Sequence, residues 1–375
     1  MRKLFILVMS LCCIGLQAQE DNVQYQLMEG YAKNNIRNRI VVPDIPGYKT
    51  LKCDLHMHTI YSDGQVSPTQ RVLEAWHEGL DAISITDHQP MPRYFMGTKD
   101  CNISYDKAIG TAKSHHITLI KGVELTSKDP VGHLNFLFIN DCNQYMPSCN
   151  TFSEAEAAEL ISKAAAEGAF ITANHPGWPD RNSELSTFTL EQIAKKYIRG
   201  IEIFNHNEFY PRAIDFVNQY DLAPIGATDA HYPTDFLYDL SNNHRDMTLV
   251  FAKDTGVMAI KEALFAGRTL AYTNNILAGK TELLKAFLQA SLKIEYYEIE
   301  NGRFNVRILN DSDVSYLLEN GNPSQRIRIP AHQYCDMNRS VQNLNDLFKV
   351  TNMYTSSTER LTIPMSFLLK QSETK

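Results

Sequence analysis

The sequence has no run of lysine or arginine long enough to follow a nucleic-acid backbone. Its 36 basic residues are outnumbered by 43 acidic residues, which gives a formal net charge of -7. Domains that bind nucleic acids collect positive charge along one face, and no such face is indicated by this composition. We therefore do not expect polymeric DNA or RNA to be the main partner.

The sequence also has no Cys-x-x-Cys pair, so a zinc ribbon or a thioredoxin-like redox motif is not supported. Cys12 and Cys13 belong to an apolar N-terminal run, and five cysteines follow it. Cys53 lies in the first predicted strand, where a buried thiol is expected. Cys142 and Cys149 flank a short loop, and a disulfide between them remains an open alternative.

No apolar run is long enough to span a bilayer. The N-terminal run follows Arg2 and Lys3, extends over about a dozen residues and ends before Leu16-Gln17-Ala18. Basic residues, a short apolar run and a small residue in this order are typical of a secretory signal. We predict a signal peptide at 1–18 and an exported protein, periplasmic or extracellular, with no transmembrane segment in the mature chain.

The remaining chain divides into three predicted parts. Residues 19–49 are polar and predict an N-terminal arm. Residues 50–279 alternate between strand-like and helix-like segments, as in a large α/β domain. Residues 280–375 alternate apolar and polar residues between Asn, Asp and Gly turns, which predicts a small antiparallel β module, with sandwich-like packing. We expect this module to cover the flank of the barrel or to form a homo-oligomer interface. Binding of a partner such as a glycan is the alternative.

Seven predicted strands lie in the large domain, and each is followed by a helix or by a loop long enough to cross back. Such alternation predicts parallel strands closed into an α/β barrel. The strands are predicted at 51–59, 81–86, 117–123, 134–139, 169–173, 201–204 and 223–227.

Nitrogen and oxygen ligands gather at the ends of these strands. His56 and His58 are two residues apart, so strand alternation directs both imidazoles to one side. In a parallel barrel the C-terminal strand ends form one rim, where functional groups collect. A single motif of this kind is more often a hydrogen-bonded turn, but the joint pattern predicts one polynuclear metal centre. Its predicted ligands are His56, His58, Asp63, His88, Glu124, His133, His175, Asp229 and His231.

The ordered motifs D-L-H-M-H-T with Y-S-D-G, then I-T-D-H, G-V-E, G-H-L-N, N-H-P-G and T-D-A-H, resemble those of the PHP (polymerase and histidinol phosphatase) family. The resemblance covers residues 50 to 235 and no motif position is missing. It implies a distorted (β/α)7 TIM-like barrel with three metals that hydrolyses phosphate esters. The exported architecture with a C-terminal β module resembles small-molecule phosphodiesterases of the Sb-PDE type.

The resemblance also implies how the ligands are divided among the metals. One metal is expected on His56, His58, Glu124 and Asp229. Glu124 is expected to bridge to a second metal on His133 and His175, and the third is expected on Asp63, His88 and His231. Mixed imidazole and carboxylate ligands suit zinc, manganese or iron, so we predict two to three divalent ions of these kinds as cofactors.

Closely spaced divalent ions lower the pKa of a shared water, so we expect a bridging hydroxide to attack phosphorus. Asp229 is expected to move the proton. His206, after the sixth strand, faces the same rim and is the second catalytic candidate. Arg181 and Arg93, in the loops after the fifth and second strands, are candidates to bind phosphate oxygens.

The predicted function is that of an exported phosphodiesterase acting on small-molecule phosphate esters. A phosphomonoesterase that uses the same centre remains open, and so does a metallohydrolase of C–N or carboxyl-ester bonds. A metal-binding module without catalysis is the non-enzymatic alternative, and loss of a ligand would favour it.

Overall fold

The computed structural model describes residues 36–90, 99–179 and 181–369. The predicted signal peptide, the arm up to residue 35 and the predicted phosphate ligand Arg93 lie outside these residues. From Arg37 onward the chain groups into one compact unit. Within the described ranges, no helix combines the length and the apolar character needed to cross a bilayer.

The seven predicted barrel strands are all present. They are β1 (Lys49–Asp54), β2 (Ala82–Ile85), β4 (Thr118–Thr126), β5 (His133–Leu137), β6 (Phe170–Ala173), β7 (Ile198–Asn205) and β9 (Ala223–Ala227). Two-residue strands, β3 (His88–Gln89) and β8 (Glu208–Phe209), extend the rim. The helices between them are α1 (Pro68–His77), α2 (Ile103–Ser114), α3 (Glu154–Ala166), α4 (Thr187–Ala194) and α5 (Pro211–Tyr220).

Serine caps fix where three of these helices begin. Ser67, Ser153 and Ser186 each accept a hydrogen bond from the backbone amide three residues later. Such caps satisfy amide groups that the first helical turn leaves without a partner. The helices α1, α3 and α4 therefore begin directly after Ser67, Ser153 and Ser186.

The barrel strands follow one another in chain order, and β1–β2, β2–β4, β6–β7 and β7–β9 are parallel pairs. Past their last residues, the ends of β9 and β1 pair through Asp229 N to His56 O, at 2.9 Å, and His58 N to Ala230 O, at 3.0 Å. On the inner side, a Cβ at Gly226 would lie 2.4 Å from Met247 O, so glycine is required for this close approach.

The prediction that every barrel strand is parallel was wrong for β5. This strand is antiparallel to both β4 and β6. Only residues 127–132 separate β4 from β5, and Ser127 N donates to Gly132 O at 3.1 Å across the turn. A connection this short makes a hairpin, because a parallel crossover needs a dozen residues or more.

Three further strands that the sequence analysis did not predict follow β9. They are β10 (Met247–Ala252), β11 (Thr269–Thr273) and β12 (Ile276–Gly279), and the helix α6 (Val257–Phe265) lies between β10 and β11 in the chain. β10 is antiparallel to β1, and β11 and β12 continue outward from it. The helix α7 (Thr281–Ser291) comes next.

The C-terminal module contains two groups of strands. One is an antiparallel sheet of β13 (Leu292–Glu300), β14 (Arg303–Asn310) and β17 (Tyr334–Ser340). The other consists of β15 (Tyr316–Glu319), β16 (Ile327–Ile329), β18 (Leu347–Tyr354) and β19 (Arg360–Pro364), and β18 joins the barrel sheet beside β12. The short helix α8 (Met365–Leu368) follows β19 directly.

The disulfide considered for Cys142 and Cys149 is not formed. Cys142 is buried, Cys149 is exposed, and both thiols are free. Cys53 is fully buried in the barrel core, as predicted, and burial raises the pKa of its thiol well above the ordinary value.

Candidate metal centre

The chain leaving β1 carries two buried imidazoles to one point. His56 and His58 are both fully buried, and their Nε2 atoms lie 3.1 Å apart. The backbone stays extended here, so the alternation of side chains places both on the same side. Two imidazole nitrogens at this separation can approach the same cation.

The turn after His58 returns a carboxylate over the strand end. Asp87 holds the turn by accepting hydrogen bonds from Thr59 N, at 2.6 Å, and Ser62 Oγ, at 2.7 Å. A Cβ at Gly64 would lie 2.7 Å from the carbonyl carbon of His58, so the turn can only close with glycine there. The turn therefore places Asp63 at the rim.

Glu124, at the end of β4, is the centre of the site. It is fully buried, and its Oε1 lies 3.4 Å from His56 Nε2 and 3.2 Å from His133 Nδ1. Its Oε2 lies 2.5 Å from His88 Nδ1. His133 reaches this point because β5 is reversed, so the start of that strand lies at the rim where the parallel strands end.

Asp229 closes the site from the end of β9. Its Oδ1 lies 2.9 Å from His58 Nε2 and 3.2 Å from His56 Nε2. His175 Nε2 lies 3.9 Å from Oδ2 of the same carboxylate. Asp229 and His175 have positive φ values of 51° and 25°. Such backbone conformations in non-glycine residues cost energy and concentrate at functional sites.

The outer side of the centre is built around Asp63. Its Oδ1 lies 3.3 Å from His88 Nε2 and 3.2 Å from His231 Nε2. The structure thus brings all nine predicted ligands to one place. Ligand atoms lie within 4.8 Å of one another in three groups, which are His56, His58 and Glu124; His88, Glu124 and His133; and His58, Asp63, His88 and His231.

The carboxylates and imidazoles shift one another's pKa values strongly. Burial alone would raise the pKa of Glu124, but the surrounding imidazoles, His88 first, hold it well below its ordinary value. Burial lowers the pKa of His88, and the charges of Glu124 and Asp63 outweigh this and raise it to about 10. For His58, burial and the charge of His88 prevail and lower the pKa to about 4. The buried carboxylates therefore stabilise positive charge at this site.

The donors fit a divalent metal. Although Asp229 Oδ1 and His133 Nδ1 lie close to ring nitrogens and carboxylates, both atoms are buried without a hydrogen-bond partner among the described residues. Buried polar atoms are normally satisfied, and a bound cation would satisfy both. Imidazole nitrogens mixed with carboxylate oxygens are the donors that zinc, manganese and iron accept.

One functional residue that the sequence analysis missed is Glu202 in β7. Its fully buried carboxylate accepts from His56 Nδ1 at 2.8 Å, from the amide of His175 at 2.7 Å and from Asn205 Nδ2 at 2.8 Å. Such a partner sets which ring nitrogen of a histidine faces the metal. The sequence signal was an acid at an inward position of a buried strand, in the segment I-E-I-F.

Two buried arginines were also missed. Arg71 in α1 donates to the carbonyl oxygens of His58, at 3.0 Å, and Ala230, at 2.7 Å, and so joins the two strand ends that carry ligands. Arg245 donates to Asp54 Oδ2 at 3.0 Å and to Glu78 at 2.7 Å. Because both guanidinium groups are fully buried, these contacts fix the backbone that positions the ligands.

The centre opens into a cavity of about 340 Å³. The catalytic candidate His206 lines this cavity together with Trp178, Glu208 and Tyr210. Arg181 follows Trp178 in the same loop, but its side chain is exposed and does not line this cavity. Its role in phosphate binding remains a prediction.

A family model described as the PHP domain matches residues 54–221. A two-domain protein of Bacteroides vulgatus that contains a predicted PHP-like metal-dependent phosphoesterase has a similar structure, with a TM-score of 0.80 and 32% identity. The match covers 88% of this chain and 98% of that protein.

Two curated proteins are similar over shorter parts. A probable phosphatase of Caldicellulosiruptor bescii is 28% identical over 207 residues, which are 49% of this chain and 82% of that protein. A 5'-3' exoribonuclease of Haemophilus influenzae is 36% identical over 78 residues, which are 21% of this chain and 24% of that enzyme. Because the chain is 32% identical to the two-domain protein and covers 98% of it, the chain belongs to the PHP family of metal-dependent phosphoesterases.

Proposed function

We propose that this protein is a phosphodiesterase acting on small-molecule phosphate esters. The observation that carries the proposal is the convergence of nine nitrogen- and oxygen-bearing side chains around the buried carboxylate of Glu124. Such a centre supports hydrolysis of a charged ester without a nucleophile from the protein.

The proposed ligands are those predicted from the sequence, and zinc, manganese and iron are the proposed metals. Divalent ions in such a site lower the pKa of water and neutralise the charge that develops on phosphate oxygens. The chain's own residues hold the ions and orient the ligands. Glu202 fixes the His56 ring, and Asp87 holds the turn that carries Asp63.

Asp229 and His206 are the proposed proton carriers. Burial alone would raise the pKa of Asp229, but nearby imidazoles keep it below its ordinary value, so this carboxylate is ionised. Its proposed role as proton carrier rests on its position at the centre, where Oδ1 lies 2.9 Å from His58 Nε2. His206 is exposed and lines the cavity about the centre, where it can donate a proton to the departing oxygen.

The charge around this cavity supports a diester substrate over a monoester. Glu208 lines the cavity beside the centre, and Tyr210 Oη donates to its carboxylate at 2.5 Å. A monoester carries nearly two negative charges at neutral pH, whereas a diester carries one. Repulsion from Glu208 therefore disfavours the monoester more strongly.

The test is a paired assay of purified mature protein with measured metal content, on bis(p-nitrophenyl) phosphate and p-nitrophenyl phosphate. We expect kcat/KM for the diester to exceed that for the monoester by about tenfold or more. His56→Ala, which removes a ligand, should lower both by about a hundredfold or more. His77→Ala, a histidine of α1 away from the centre, is the matched control.

Two results would overturn the proposal in different ways. Faster turnover of the monoester would establish a phosphomonoesterase on the same centre. Turnover of neither ester by protein with two or more bound ions would redirect the search to C–N and carboxyl-ester substrates.

Export is part of the same proposal. The N-terminal sequence, with its basic residues, short apolar run and Leu16-Gln17-Ala18, supports cleavage after Ala18. Mass spectrometry of the protein from fractionated cells should find Gln19 as the first residue in the exported fraction. An uncleaved chain in the cytoplasmic fraction would contradict export.

A further inference from the structure

A second, larger cavity adjoins the metal centre. It has a volume of about 800 Å³, within the range typical of small-molecule sites. Three residues line both cavities, and they are the predicted ligands His133 and His175 together with Trp178. A substrate whose phosphate lies at the centre can therefore extend into the second cavity past Trp178.

Trp178 lies between the two cavities with much of its ring free. Its ring centre lies 5.4 Å from that of His133 and 5.6 Å from that of His175, yet the residue is 59% exposed. Its amide donates to His175 O at 3.0 Å, which holds it close to the centre. An indole so exposed contributes little to the core, but it offers a flat face to a ligand.

The walls of the second cavity suit an organic group rather than a second phosphate. Val131, Leu134, Pro176 and Leu185 provide apolar surface. Asn150 and Ser127 add polar atoms around it. The charged residues that line it are Lys128, Asp129 and Glu184, and two acids against one base do not favour a second phosphate. Apolar walls with a few polar groups are characteristic of sites that bind the body of a small molecule.

We propose that this second cavity binds one ester group of a phosphodiester substrate, and that this group is a flat aromatic or heteroaromatic ring stacked on Trp178. The inference rests on the proposed phosphodiesterase function and names the substrate class. Phenolic diesters and nucleoside diesters share this chemistry.

The first experiment measures competition by phosphonate analogues of a diester, in which one P–O bond is replaced by a P–C bond that cannot be hydrolysed. Because the remaining ester bond can be cleaved, inhibition is taken from initial rates. Phenyl methylphosphonate and methyl methylphosphonate are both monoanions and differ only in the ester group. We expect the phenyl ester to inhibit hydrolysis of bis(p-nitrophenyl) phosphate about tenfold more strongly than the methyl ester. The adenosine 5'-ester of methylphosphonate is the third arm, and its rank against the phenyl ester separates the nucleoside source from the phenolic one.

Two variants test the stacking face and the free volume of the second cavity separately. Trp178→Ala should reduce the phenyl-to-methyl preference to about twofold or less, because the stacking face is lost. Leu185→Trp, which places a larger side chain in the lining of the second cavity and so reduces its volume, should reduce it similarly. Tyr296→Ala is the matched control, since it removes another exposed aromatic, in the C-terminal module, and should keep the full preference. Equal inhibition by the two esters of the unmodified protein, or a preference that survives Trp178→Ala, would overturn the inference.

A binding measurement keeps this result separate from the proposed activity. The chain has two tryptophans, so Trp76→Phe leaves Trp178 as the single tryptophan reporter. We expect saturable quenching of its fluorescence by phenyl methylphosphonate and at least tenfold weaker quenching by the methyl ester. This signal needs no turnover. Failure of the proposed function would appear as absent hydrolysis, and failure of this inference as absent or unselective quenching.

Discussion

Single side chains behind the ligands decide how well the centre is organised, and Glu202 is the clearest case. It is fully buried and has no direct place among the three ligand groups, but it contacts both His56 and the backbone of His175. An ionised partner on Nδ1 directs the other ring nitrogen of His56 toward the centre. Glu202 is therefore a positioning residue for two ligands that come from different strands.

Replacing Glu202 with glutamine keeps the shape of the side chain and removes its charge. We expect metal affinity to fall by about 10- to 100-fold, the usual effect of losing such a partner. Competition against a chromophoric chelator measures this directly and does not depend on turnover. Glu191→Gln, at an exposed position of α4, is the control and should bind metal like the unmodified protein. Equal affinities in the two variants would contradict a positioning role.

At this scale the sequence predicted the side chains that converge at the centre but not the residues that support them. His56, His58 and Asp229 stand in short polar motifs at strand ends, where side-chain chemistry is visible against an apolar background. Glu202 stands alone inside a strand, and its partners are distant in the chain. The apolar segment I-E-I-F marks it as an acid in a buried strand, but no local pattern shows which residues it contacts.

Among the elements, β5 shows how a local feature changes the site. The sequence analysis predicted this strand as parallel, and predicted His133, at its start, as a ligand. The short turn at 127–132 reverses the strand and brings His133 within 3.2 Å of Glu124. The strands β10 and β11 were not predicted, although Asn242-Asn243, Asp254-Thr255-Gly256 and Asn274-Asn275 mark turns beside them. Periodicity alone does not distinguish a short apolar run in a strand from one in a buried helix.

Asp246, directly before β10, connects three separate segments of the chain by hydrogen bonds. Its buried carboxylate accepts from the amide of Asn207 at 3.0 Å, from Tyr238 Oη at 3.1 Å and from Thr273 Oγ1 in β11. Burial raises its pKa to about 6, although these hydrogen bonds act in the opposite direction. The folded state therefore holds a proton that the unfolded chain releases at lower pH.

This difference predicts how stability changes with pH. Between pH 4 and pH 6 Asp246 binds more protons in the folded state than in the unfolded chain. The contribution of Asp246 to the free energy of unfolding therefore falls as pH rises. The loss is about 3 kcal/mol by pH 7. Urea unfolding of the protein and of Asp246→Asn at pH 4.5, 5.5 and 7 measures it, and the advantage of the unmodified protein should shrink across the series. A constant difference between the two would exclude titration of Asp246 in this range.

For the whole molecule, metal removal should abolish activity and leave the fold intact. The apolar core forms three buried clusters, which include Phe251, Phe170 and Phe204, and none of the predicted ligands belongs to them. An ion that binds only the folded state adds about 3 to 4 kcal/mol when present at 100 to 1,000 times its Kd. We expect chelation to leave the far-UV circular dichroism unchanged, to lower Tm by several degrees and to be reversed by added metal. Loss of the helical signal on chelation would contradict this expectation.

The barrel and the C-terminal module share one core, and this predicts how the molecule unfolds. Leu249 and Phe251 of β10 belong to the same buried cluster as Phe304 of β14 and Phe348 of β18. Leu277 of β12 also pairs with Met353 of β18 across the predicted domain boundary. Elements that share a continuous core lose their stability together. We therefore expect one cooperative unfolding transition rather than two.

A substitution in the C-terminal module, with unfolding followed by a signal from the barrel, tests this coupling. Both tryptophans, Trp76 and Trp178, lie in the barrel, so their fluorescence reports the barrel alone. Leu318→Ala removes a fully buried side chain of the module and should cost about 2 to 5 kcal/mol. Because the core is continuous, Tm measured by tryptophan fluorescence should fall as far as Tm measured by circular dichroism. A fluorescence Tm that stays unchanged while the circular dichroism Tm falls would mean that the module unfolds on its own.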